Sequence, residues 1–240
     1  MSNGSNWKER AAQAARELSG RVSKGAREQA ERAQDAAQKL AVALGGVARD
    51  ADSSRATVDR FLQGVSAVQS QLDREAVGVA IGTLTGGGAG VAHLFGTELF
   101  YVRPDGPLQG HLRINQISGR EAHLAAGASS GAYAACFYGP REALARPMRR
   151  RGADVGIILA SLAFFRLDAP GTDKRAGGWM LGLSLGLGLG IPILSSVSAV
   201  ELTETPLAGH KLDREATEKL EALLREAPDR PWRRRLAQAL

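Results

Sequence analysis

Leu181-Gly-Leu-Ser-Leu-Gly-Leu-Gly-Leu-Gly-Ile191 alternates an aliphatic residue with a small one along its whole length. A period of two is that of a β-strand, whose successive side chains point to opposite faces; a helix would repeat every 3.6 residues. One face is aliphatic and the other nearly bare, which lets a second backbone, a helix or a lipid chain approach closely. The surrounding stretch, 176–200, carries no charged residue and is long enough to cross a bilayer as a helix. Six glycines and Pro192 argue against that helix. Alternation of this length also suits the wall of a membrane barrel. The favoured expectation is a core strand in a tightly closed sheet.

The neighbouring sequence has the same character. Leu108, Gly110, Leu112 and Ile114 alternate with Gln109, His111, Arg113 and Asn115, the pattern of a half-buried strand. Leu99-Phe-Tyr-Val102 precedes it across Pro104-Asp-Gly-Pro107, a turn signal, so 98–117 reads as a hairpin. Val155 to Leu167 reads as one apolar strand, and 168–175 then turns the chain. Residues 76–208 hold 22 of the 29 glycines, which favours strands, turns and bulges over long helices.

The two ends are charge-dense and glycine-poor. Over residues 1–75 there are 12 basic and 10 acidic side chains, and over 209–240 there are 8 and 6. Trp7, Ala11, Ala15, Leu18, Val22, Ala26, Ala30, Ala33, Ala37, Leu40 and Leu44 fall at helical spacing, with charge on the other faces. The stripe is mostly alanine and buries little area per turn, so it reads as an amphipathic arm rather than a core element. A second helix is expected from Asp52-Ser-Ser54, with Val58, Phe61, Leu62, Val65, Val68 and Leu72 as its apolar face. A third is expected from about Leu212 to Ala227, ended by Pro228. The resulting expectation is an α+β fold with N-terminal amphipathic helices, a glycine-rich antiparallel β-sheet or barrel body, and a C-terminal helix. Its parts are a helical arm at 1–46, a packed helix plus β body at 47–211, and a helix with a basic tail at 212–240.

The chemistry-bearing motifs are sparse. Gly127-Ala-Ser-Ser-Gly131 matches the G-x-S-x-G nucleophile elbow, in which a strained strand-to-helix turn exposes the serine, here Ser129. The upstream Gly86-Gly87-Gly88 and this elbow are similar to parts of patatin-like lipases. The Asp-Gly pair those enzymes need downstream of the serine appears only upstream, as Asp105-Gly106. The four histidines share no ligand spacing, and no phosphate-loop motif is present. No cofactor or metal is expected, and a non-enzymatic role is favoured. Cys136 is a lone cysteine in an apolar stretch, consistent with a reducing compartment. The first ten residues show no secretory leader pattern, so a cytoplasmic setting is expected.

Net charge is +6. Arg149, Arg150 and Arg151 cluster in what reads as a loop before a strand, and Trp232, Arg233, Arg234 and Arg235 close the chain. Guanidinium with indole suits an anionic membrane surface. Nucleic acid is the less favoured partner. A structural or assembly protein that oligomerises through its helical arm and β body is the alternative from another class, and a serine esterase is a second alternative.

The order of the glycine-rich segments resembles the SYLF family. Gly78-Val-Ala-Ile81 is similar to its opening strand. Gly86 to Gly90 and Gly96-Thr-Glu-Leu-Phe-Tyr-Val-Arg103, followed by Asp105-Gly106, are similar to its glycine-rich strand and G-x-G-hydrophobic-R-D-G hairpin. Leu124 to Ser129 stands where that family carries L-Q-I-G-A-Q, without the glutamine after the leucine. Ala135-Cys-Phe-Tyr138, Arg141-Glu-Ala-Leu144 and Gly152-Ala-Asp154 then follow its strand, short helix and G-A-D strand. The resemblance spans about 78–200. It implies phospholipid binding through an amphipathic N-terminal helix and basic residues, without catalysis. On this chain those residues are Trp7, Lys8, Arg10, Arg21, Lys24 and Arg27.

Overall fold

A computed structural model describes residues 54–105, 110–157, 160–171, 176–187 and 196–229. The expected helical arm at 1–46 and the tail from Arg230 onward lie outside the described residues. The chain forms α1 (Ser54–Val68), a 3-10 turn (Gln69–Gln71), β1 (Gly78–Val102), β2 (His111–Tyr138), α2 (Arg141–Leu144), β3 (Arg149–Ile157), β4 (Ala160–Asp168), β5 (Ala176–Leu187), β6 (Ser196–Lys211) and α3 (Arg214–Glu226).

The expectation of a mixed α+β fold is overturned. The described chain is mostly a closed antiparallel barrel of eight staves, with three short helices. Six continuous strands make eight staves because β1 and β2 each serve twice. The two pair along their whole length, from Gly78 with Phe137 to Val102 with His111, with a bulge between Ala89 and Val91. On its free edge, β2 pairs with β6 over His111–Ala122 and with β5 over Ala128–Tyr138. From β5 the sheet continues through β4 and β3 to β6. The two halves of β1 meet to close the ring, and the Arg103 N–H donates to Val77 O at 2.9 Å across that seam. Close approach here depends on glycine: a Cβ at Gly96 would run into the Thr83 carbonyl. Doubling of a long hairpin does not announce itself in a sequence, because the chain stays extended through the bend.

Two further sequence expectations change. Val155 to Leu167 is not one strand but the end of β3 and most of β4, paired antiparallel with Ile157 opposite Ala160. Both arms are apolar, so no polar punctuation marks the reversal. Arg149, Arg150 and Arg151 are not in a loop but open β3.

The core has two compartments separated by the barrel wall. Inside lie Ala80, Phe100, Ile117, Phe137, Phe165, Met180 and Leu202. Outside, α1 and α3 cover one flank, and Phe61, Val65, Leu72, Leu220 and Leu224 pack on outward-facing Val79, Ile81, Leu99, Leu112, Ile114 and Leu181. Each such side chain, fully buried, contributes roughly 1.5–3 kcal/mol. The helices form where the sequence places them, and Asp213 caps α3 by accepting from Ala216 N–H at 2.7 Å.

Candidate functional site

The alternation around Leu112 is inverted relative to a half-buried strand. Leu112 and Ile114 point outward beneath the helices, and Arg113 and Asn115 point into the barrel. Inside, Arg150 donates through Nη2 to Glu98 Oε1 at 2.6 Å and to Glu204 Oε1 at 2.5 Å. Arg113 reaches Glu204 Oε2 at 3.2 Å, Asn115 donates to both glutamates, and the Tyr133 hydroxyl donates to Glu98 Oε2 at 2.7 Å. Arg113 also lies over the Phe100 ring and Arg150 over the Phe137 ring, at 4.6 and 4.7 Å from the centroids. Glu98, Glu204 and Arg150 have no exposed side-chain surface.

Burial dominates the electrostatics. It raises the Glu204 carboxyl, against the opposing pull of Arg150 and Arg113. It would lower Arg150, but Glu98 and Glu204 outweigh it and hold that guanidinium firmly charged. Burial also raises the Tyr133 hydroxyl, with Glu98 adding to the effect. Two positive and two negative groups balance, and aromatic rings fill the space around them. This charge-neutral network ties β1, β2, β3 and β6 together in one register, and it leaves Arg113 Nε and Nη1, Arg150 Nη1 and Asn115 Oδ1 buried without hydrogen-bond partners among the described residues. Sequence reasoning missed it because its members are single charges at alternating positions, which read as solvent-facing.

The outer wall carries a different arrangement. His93, Arg120, Glu201, Arg151 and Arg166 occupy successive cross-strand positions from β1 through β2, β6 and β3 to β4. Neighbouring members are about 4.8 Å apart along the hydrogen-bonding direction. One carboxylate oxygen, Oε1 of Glu201, serves both Arg149 and Arg151 at 3.5 Å, and Arg166 has Asp168 at 3.5 Å. Four arginines thus face two carboxylates on an exposed surface. Val91 and Phe95, 48% and 57% exposed, flank His93 on the same face of β1. α1 and α3 do not cover this region.

The sequence-selected residues fall into three groups. Arg149 and Arg151 are exposed on the wall, whereas Arg150 is sealed inside and presents nothing to a partner. Trp7, Lys8, Arg10, Arg21, Lys24, Arg27, Trp232, Arg233, Arg234 and Arg235 lie outside the described residues. Ser129 sits within β2, paired with Gly86 on one side and Gly186 on the other. An elbow needs a sharp strand-to-helix turn at the serine; the backbone here is continuous strand, so the motif does not form. Arg120 and Arg166 were not singled out in the sequence, since residues far apart in the chain become a row only through sheet register.

Among the described residues, no group of three His, Cys, Asp or Glu side chains could hold a metal, and no helix is long and apolar enough to cross a membrane. Compared with protein-family models, curated proteins and solved structures, the chain matches none.

Proposed function

We propose that this is a non-enzymatic protein that binds the surface of anionic membranes, docking through the basic row on the barrel wall and through its charged, amphipathic N-terminal segment. The observation that carries this reading is the row itself: among the described residues, Arg149 and Arg151 pair with Glu201, Arg166 pairs with Asp168, and Arg120 stands opposite Glu201 in the β2–β6 register, beside exposed Phe95 and Val91. Surface arginines attract anionic lipid by about 1 kcal/mol each, and a neighbouring aromatic side chain suits the interfacial layer. The same arginines argue against a spanning barrel, since each at the bilayer midplane would cost about 2–4 kcal/mol. The SYLF-like order of motifs and the stripe from Trp7 to Leu44 support the same reading, and a cytoplasmic, peripheral setting goes with it.

Vesicle co-sedimentation of the full chain tests the proposal. Pelleting with phosphatidylglycerol vesicles at low salt, weakened at high salt and absent with phosphatidylcholine alone, is the expected result. Equal pelleting with both lipids, or none with either, would refute it.

A further inference from the structure

We propose that a second site, which shares no residue with the basic row, binds a phosphorylated polyol. A cleft of about 420 Å³ opens between the end of β1, α2 and α3. Its walls include Arg74, Arg103, Arg141, Arg225, Glu75 and Glu221. A volume in the range of small-molecule sites admits a ligand larger than a single phosphate.

The donors in this cleft divide into engaged and unengaged sets. Arg103 is a tether: Nε and Nη2 donate to Glu221, at 3.1 and 2.7 Å to Oε2, and Nη1 donates to the carbonyls of Arg74 and Ala76. The Tyr101 hydroxyl donates to the other Glu221 oxygen at 3.1 Å. Glu221 is therefore neutralised by Arg103 and does not oppose an incoming anion. The other three arginines keep donors in hand. Arg225 uses Nε on the Glu221 carbonyl, one helical turn back, which leaves both terminal nitrogens. Arg141 uses Nε on Arg103 O and Nη1 on Asp105, which leaves Nη2. Arg74 meets Glu75 and Asp229 only at 3.5 and 3.6 Å, too long for hydrogen bonds.

Three guanidinium groups from three separate chain segments, each with free N–H donors, match the tetrahedral oxygens of a phosphate monoester. The remaining lining chooses the rest of the ligand. Among the described residues no aromatic ring lines the cleft, which disfavours stacking of a nucleobase. Glu75, 60% exposed, offers acceptors for hydroxyl groups. A phosphate carried on a hydroxylated carbon chain satisfies both sets. It could come from a lipid headgroup or from a free sugar or glycerol phosphate.

Titration calorimetry of the full chain with glycerol 3-phosphate, with glycerol and inorganic phosphate as separate probes, tests the site. Saturable binding of glycerol 3-phosphate is expected, tighter than inorganic phosphate, with no binding of glycerol. Arg225→Ala and Arg74→Ala, both at exposed positions, should each weaken it about tenfold or more, the effect of losing one charge-assisted hydrogen bond. Vesicles carrying phosphatidylinositol 4-phosphate, a phosphate monoester on a polyol headgroup, that displace bound glycerol 3-phosphate would identify the headgroup as the source, and vesicles that leave it bound would identify the free compound. Neither arginine substitution should alter pelleting with phosphatidylglycerol vesicles, whose phosphodiester is held by the basic row. No saturable binding at millimolar glycerol 3-phosphate, or binding unchanged in both variants, would overturn the proposal.

Discussion

Arg150 and Arg151 are neighbours in the chain and lie on opposite sides of the barrel wall: Arg150 is fully buried between Glu98 and Glu204, and the Arg151 side chain is 54% exposed beside Glu201. One pleat of β3 thus separates a structural cation from a surface cation. Arg150→Ala would leave two buried carboxylates short of their main partner, a loss of about 3–5 kcal/mol. Arg151→Ser removes only a long, solvated ion contact and should stay within about 0.5 kcal/mol of the parent. Urea unfolding of the two variants measures the difference, and comparable losses would mean that the inside–outside assignment is wrong.

Glycine matters in this barrel where two backbones touch. A Cβ at Gly152 would collide with the Phe164 carbonyl of β4, and one at Gly96 with the Thr83 carbonyl at the seam of β1. Neither backbone can swing aside like a flexible side chain. Gly152→Ala and Gly96→Ala should each lower stability by about 1–3 kcal/mol. Gly209→Ala is the control: nothing lies within 4 Å of its Cβ position, so stability should hold or rise slightly. Thermal melts of the three variants check this ordering.

Cys136 provides a reporter of the outer core. It is buried under the segment that joins the 3-10 turn to β1, and Asp73 N–H donates to its sulfur at 3.3 Å. Burial pushes its thiol far above the usual range, so it stays protonated and unreactive at pH 8. An aromatic disulfide reagent should label it negligibly in the native protein and at once in concentrated urea. Fast native labelling would show that α1 and its connector open readily.

Much of the architecture was legible because local physics decides it. The Ser54 and Arg214 helices follow from capping residues and apolar spacing. The Leu181 strand follows from strict alternation. What alternation could not supply was which face is the inside. Leu112 and Arg113 look like the core and solvent faces of an ordinary sheet, but helices cover the outside of this barrel and an ion network fills part of the inside, so the polarity reverses. The doubling of β1 and β2 was equally hidden, because a long hairpin that bends back gives the same local pattern as four short strands. The basic row shows the same limit. Arg149 and Arg151 stand out in sequence as a cluster, yet Arg120 and Arg166 join them only through the registers that set Arg120 and Arg151 on either side of Glu201, and Arg166 beside Arg151.

Partitioning of a triple variant, Arg120→Ser/Arg151→Ser/Arg166→Ser, onto phosphatidylglycerol vesicles tests membrane-surface docking most directly. Each arginine near an anionic surface supplies about 1 kcal/mol. Their combined loss should lower the partition coefficient by about two orders of magnitude and leave the urea midpoint close to the parent's. An unchanged partition coefficient in a folded triple variant would contradict docking through this wall.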